Sequence, residues 1–172
     1  MRKTILGVFA GLLLLTAADT KPTSATYITN ATLQSMLKTV PADAASDQQV
    51  REVDVGKENI AVGIVYRSAK ANQVAVEHDD VAEVYEILEG TGTMLTGGTV
   101  IGDGKSATVH DATGASGPTT RGTALRGAES HKVGPGDIII IPAGVGHQFS
   151  SIDGSIKYAV IRTDPGKVIA LK

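Results

Sequence analysis

The residues best placed to do chemistry gather at the end of one stretch, Gly136 to His147, which reads GDIIIIPAGVGH. An imidazole is useful for acid–base or ligand chemistry only when something holds it still, and here the sequence supplies the holder. Gly136-Asp137 is a turn, and Ile138 to Ile141 is a β-branched apolar run that reads as a buried strand. Pro142 cannot donate to a central ladder and Gly144 tolerates positive φ, so the strand ends in a tight turn. A second strand starts near His147 and runs through Phe149 and Ser151, whose side chains alternate onto the same face as the imidazole. One histidine on a rigid corner still needs partners.

The other candidates are weaker. His110 and His131 lie in or beside a Gly-rich stretch and read as surface histidines. Arg67 and Arg162 end apolar strands, where an arginine is either a solvated strand end or a partner for a substrate carboxylate. The chain has no cysteine, which removes thiolate chemistry, cysteine ligands and disulfide staples, so the fold must rest on its core. A formal charge of −2 gives no basic footprint for nucleic acid. With no tryptophan, four tyrosines and two phenylalanines, one of them Phe9 near the start, stacking platforms are scarce.

The elements that position these residues follow in order. Residues 1–25 read as a secretory signal: Arg2 and Lys3 are the positive end, Ile5 to Leu15 the apolar run, with cleavage near residue 18 or 25. Beyond it no apolar stretch is long enough to cross a membrane, so the chain is expected to be exported, periplasmic or extracellular, without stable membrane association. Residues 26–49 form an N-terminal extension with a short helix capped by Asn30, followed by a polar loop over Asp43 to Gln49. Strands are predicted over Val50–Val55, Asn59–Arg67, Gln73–His78, Glu83–Leu88, Thr93–Leu95, Ile156–Arg162 and Lys167–Leu171. Residues 102–130, rich in Gly, Ser, Thr, Ala and Asp, read as a long excursion with a short strand near Thr123 to Leu125. Many short strands with Gly and Pro turns make residues 50–172 one all-β sandwich or barrel.

The residues also resemble a family. Gly136, five residues, Pro142, one residue, Gly144, two residues and His147 match the second cupin motif, with Ser151 where that motif often has Asn. EHDDVAEVYEILEG is similar to the first cupin motif: Glu83, six residues, then Gly90, with His78 in the second-histidine slot and Val76 where the first histidine is usual. About 45 residues separate the two motifs. The resemblance implies a cupin-type double-stranded β-helix or jelly roll. It also implies that His78, Glu83 and His147 converge inside the barrel on a divalent metal such as Fe, Mn, Zn or Ni. Asp80, of the same parity as His78, is a further ligand candidate in place of the missing histidine, and Glu77 points away. Tyr85 shares the parity of Glu83, as a proton-moving hydroxyl or as core. Val76, Tyr85, Phe149 and Ser151 are the expected pocket lining.

Three functions stay open at this point. One is a metal-dependent oxygenase, isomerase or lyase on a small polar molecule. Another is a non-catalytic cupin that captures a small ligand, with or without metal. The third is a structural barrel that forms a homodimer through its edge strands.

Overall fold

The computed structural model describes residues 24–102, 109–110 and 116–172. The predicted secretory leader falls almost wholly outside the described residues. The helix α1 (Asn30–Leu37) precedes two long strands, β1 (Ala45–Asp54) and β2 (Asn59–Ser68). Next come β3 (Ala75–His78), β4 (Ala82–Glu89), β5 (Gly92–Thr96) and β6 (Thr99–Ile101). The remaining strands are β7 (Val109–His110), β8 (Pro118–Gly122), β9 (Ala124–Arg126), β10 (Glu129–Val133), β11 (Ile138–Ile141), β12 (His147–Ile152) and β13 (Ser155–Asp164).

Two antiparallel sheets result, in the orders β1-β2-β13-β4-β11 and β10-β5-β12-β3-β8-β7, with β6 and β9 paired as a separate ribbon. The inward residues of both sheets meet in one core. Val65, Tyr85, Ile87, Tyr158 and Val160 come from the first sheet, Met94, Val133, Phe149 and Ile152 from the second. Each such side chain, fully buried, stabilises the fold by about 1.5–3 kcal/mol, which is how the barrel stands without a disulfide. The all-β jelly roll with a short N-terminal helix is the architecture that forms.

Several local expectations change. The helix is capped by Thr29, not Asn30: Thr29 has extended backbone and its hydroxyl accepts from the Thr32 N–H at 3.0 Å. No residue of α1 is buried. The first barrel strand begins at Ala45, inside the stretch read as a polar loop, where Asp47 accepts from Arg162 and Gln49 donates to Glu52. Ile138–Ile141 is not a buried strand. It pairs only with β4 at the sheet edge, so alternation leaves Ile138 66% and Ile140 72% exposed while Ile141 is buried.

Within the stretch 102–130 the described residues include paired strands, β8 with β3 in the second sheet and β9 with β6. The predicted strand at 167–171 does not form. Pro165-Gly166 turns the chain, and the Asp164 carboxylate accepts from the Val168 and Ile169 N–H groups at 2.9 and 2.8 Å. Among the described residues no helix is long and apolar enough to cross a membrane.

Candidate metal centre

Two tight connections fix the imidazoles. After β11 the chain turns at Gly144, whose φ is +73°, and the Gly144 N–H donates to the His78 carbonyl at 2.8 Å. The two motif stretches are thus tied by their backbones before any side chain is considered. His147 then opens β12, opposite Val76 of β3 on one side and Thr96 of β5 on the other. His78 ends β3, where β8 runs beside it in register His78–Thr119. Glu83 faces inward from β4, one alternation before Tyr85.

The hydrogen bonds assign the tautomers. His147 Nδ1 lies 3.2 Å from the Val145 carbonyl, which can only accept, so Nδ1 carries the proton. His78 Nδ1 lies 2.8 Å from Thr119 Oγ1, and that hydroxyl gives its own proton to the Gly117 carbonyl at 3.0 Å. Nδ1 of His78 must therefore be the donor as well. Both Nε2 atoms then face the Glu83 carboxylate, His147 at 3.1 Å and His78 at 3.5 Å from Oε2. Histidines whose outer nitrogen is held and whose inner nitrogen is aimed at a carboxylate have the arrangement of metal ligands.

A count of protons tests whether a cation fits. Oε1 of Glu83 is satisfied by Arg162 Nε at 2.7 Å. Oε2 accepts from the Tyr85 hydroxyl at 2.7 Å, and the same hydroxyl is 3.2 Å from His147 Nε2. One phenolic proton thus serves a carboxylate oxygen and one imidazole nitrogen, while His78 Nε2 faces the same oxygen without it. The shortfall closes in two ways, with protons on both Nε2 atoms or with a cation among them. One atom from each of the three residues lies within 4.8 Å of the others, and all three residues are buried. A buried His78-Glu83-His147 group of this kind can hold a divalent metal, with neutral nitrogen and anionic oxygen donors that suit several first-row ions.

The electrostatics agree. Burial alone would raise the Glu83 pKa, but the Arg162 guanidinium, whose Nε donates to Oε1, holds it well below the usual carboxylate value. Burial, and then the Glu83 charge, push the Tyr85 hydroxyl well above its ordinary value, so it stands as a neutral donor.

Other predicted site residues are dispersed. Asp80 is exposed in the bend after β3, outside the buried His78-Glu83-His147 group, because the strand ends at His78 and alternation no longer applies. Ser151 is exposed and lines no pocket: a bulge between Phe149 and Ser151 inserts Ser150, which sends Ser151 outward and Ile152 inward. Val76, Tyr85 and Phe149 do line the barrel interior. The space they enclose with Arg67, Val74 and His147 is only about 10 Å³, room for roughly one water. A wider groove of about 550 Å³ lies away from this chemistry, on the outer face of β1 and β2 beside Thr26 and Ile28.

His131 is exposed on β10, and the side chain of His110 lies outside the described residues. Arg67 donates to the Tyr158 hydroxyl at 2.9 Å. Arg162 is no solvated strand end: it is 2% exposed, bound to Glu83 and, at 2.5 Å, to Asp47. Arg162, Asp47 and Thr119 are the site residues that sequence reasoning missed as such. The only signal for Arg162 was its place at the end of an apolar strand.

No family model and no curated protein matches the chain. Solved structures that resemble it include BH2720 from Bacillus halodurans, 15% identical over 85% of this chain and 86% of that one, with a TM-score of 0.47. The DMSP lyase DddQ from Ruegeria pomeroyi is 17% identical over 69% of this chain and 46% of its own, TM-score 0.43. Oxalate decarboxylase from Bacillus subtilis is 16% identical over 62% of this chain and 22% of its own, TM-score 0.40. The chain thus spans under half of the lyase and about a fifth of the decarboxylase. Two facing antiparallel sheets, closed by a glycine-proline corner that ends on a buried histidine, make this chain a small cupin-fold jelly roll.

Proposed function

We propose that the protein is an exported cupin that binds one divalent metal through His78, Glu83 and His147 and uses it on a small polar molecule, as an oxygenase, isomerase or lyase. The observation that carries the reading is the convergence of three acceptors on a point with a single phenolic proton. When bound, the metal supplies Lewis acidity toward a substrate oxygen. The chain's own residues do the rest. Thr119 and the Val145 carbonyl orient the two imidazoles, and Arg162 holds the carboxylate. Tyr85 keeps a proton on its hydroxyl, between Glu83 Oε2 and His147 Nε2, where it can be given to a bound molecule. Val76, Met94 and Phe149 keep bulk water out.

Protein purified without a histidine tag, stripped and then incubated with Fe(II), Mn(II), Ni(II) or Zn(II), should retain close to one equivalent of at least one of them. Less than about a tenth of an equivalent refutes the metal centre. A second reading, capture of a ligand without turnover, is favoured by Val76 in the first-histidine slot, which leaves the group one ligand short. A small molecule that raises the melting temperature equally with and without chelator, and is recovered unchanged, supports capture over catalysis. Export rests on the Arg2-Lys3 end and the Ile5 to Leu15 run, and N-terminal sequencing of the natively expressed protein tests it. The exposed Ile138 and Ile140 at the sheet edge support a homodimer, which sedimentation measures.

A further inference from the structure

Arg162 is the largest fully buried side chain among the described residues, and its placement follows from register. On β13 it lies opposite Ala61 of β2 and Glu83 of β4. Ala61 is small and Gly63 has no side chain, so the guanidinium has room to lie across β2 toward β1. A Cβ at Gly63 would come within 3.3 Å of Arg162 Nη1 and 2.9 Å of Val160 Cγ1. At the far side Asp47 accepts twice, Oδ1 from Nη1 at 3.3 Å and Oδ2 from Nη2 at 2.5 Å, while Nε reaches back to Glu83 Oε1 at 2.7 Å. A line of carboxylate, guanidinium and carboxylate runs from a partly exposed strand to the interior.

We infer that Arg162, anchored by Asp47 across Gly63, is a positioning residue that occupies Glu83 Oε1 and leaves only Oε2 for the metal, an inference that rests on the metal reading above. Glu83 then enters the donor set through one oxygen, with two imidazole nitrogens. That set suits Zn, Co, Ni or Fe(II) and is poor for Ca or Mg, which require several oxygens or an octahedral shell. Asp47 touches none of the donor atoms, yet it fixes the guanidinium and offsets its charge beside the metal. Removing the Asp47 charge weakens binding for both reasons at once.

The test uses Co(II) on the full chain, stripped with chelator and titrated against a chromophoric competitor, with the visible spectrum recorded. Asp47→Asn should bind Co(II) about 10-fold more weakly or worse, within the range for losing a partner that orients a ligand, and with altered absorption bands. Asp47→Glu restores both. Gly63→Ala, which crowds the guanidinium from the other side, weakens binding likewise. Wild-type affinity and spectrum in D47N and G63A overturn the inference, and so does a D47E protein as weak as D47N, since the loss then reflects a general fault in β1. A wild-type chain that takes up no Co(II) refutes the metal centre itself, which is a separate outcome.

Discussion

Glu83→Gln separates the two ways in which the site's missing positive charge can be supplied. In the metal-free protein with neutral imidazoles, the new amide is nearly isosteric and better matched than the carboxylate. Its carbonyl accepts from Arg162 Nε, and its NH₂ faces His147 Nε2 and His78 Nε2, which sit 3.1 and 3.5 Å from the oxygen it replaces. Two charge-assisted bonds, from Arg162 and Tyr85, become weaker or lose their partner, a loss of about 2 kcal/mol, and a new amide–imidazole bond returns about 1. The net change of about 1 kcal/mol lowers the melting temperature by about 2–4 °C for a chain of this size.

Metal shifts the comparison. A ligand at a hundred times its Kd stabilises wild type by about 2.7 kcal/mol, which corresponds to a rise of about 5–11 °C. E83Q, lacking the anionic donor, should rise by less than about 2 °C at the same Zn(II) concentration. Calorimetry at about pH 8, with chelator and with Zn(II), reads all four states. An E83Q protein that keeps the wild-type rise refutes Glu83 as a ligand. A metal-free E83Q destabilised by about 3–5 kcal/mol refutes the proton count, because that penalty is expected only if the NH₂ meets imidazolium donors or the Arg162 pair is broken outright.

Three further perturbations have defined outcomes. Thr119→Val deletes the acceptor that His78 Nδ1 uses at 2.8 Å, so metal affinity should fall about 10–100-fold, and unchanged affinity by isothermal titration counts against Thr119 as the orienting partner. Phe149→Ala empties a buried position against Tyr158 and should cost about 3–5 kcal/mol in urea unfolding; a loss below about 1 kcal/mol means the ring does not fill the barrel. Glu52 is buried with Oε1 unpartnered, near an equally unpartnered Asn59 Oδ1. Burial, and repulsion by Asp164, raise its pKa above the ordinary 4.5 despite hydrogen bonds from Asn59 and Gln49. Between the unfolded and folded values the native state holds the extra proton, so wild-type stability falls as pH rises through that window. Glu52→Gln mimics the protonated form and should gain on wild type between about pH 5 and pH 8 in denaturation midpoints, whereas an equal offset at both pH values rejects the assignment.

The sequence disclosed the fold through features with short range. The run of β-branched residues in NIAVGIVYRS, the Pro142–Gly144 turn and the Gly90 spacing each act within a few residues, and each has its place in the barrel. Where alternation was extended without interruption it failed. Ser151 was assigned to the His147 face by parity, and one inserted residue, Ser150, reversed it. Ile138 and Ile140 were read as buried from composition alone, although burial in a strand depends on what covers each face, and both lie beside Val84 and Glu86 on an outer face left open among the described residues.

The polar parts of the site were the least legible, for a related reason. His147 and Glu83 are held by residues distant in the chain: Arg162 is 79 positions from Glu83, Thr119 is 41 from His78, and Asp47 is 115 from Arg162. No periodicity links such positions, since what joins them is sheet order. β13 lies between β2 and β4, so Arg162 reaches Glu83 on one side and, over Gly63, Asp47 on the other. The same topology explains why an arginine closing an apolar strand became one of the largest fully buried residues described, and why polar Asp47, in a stretch read as a loop, became part of a barrel strand. A buried guanidinium is costly unless its charge is paired and its donors are filled, and sheet order brings Asp47 and Glu83 to Arg162 for that purpose.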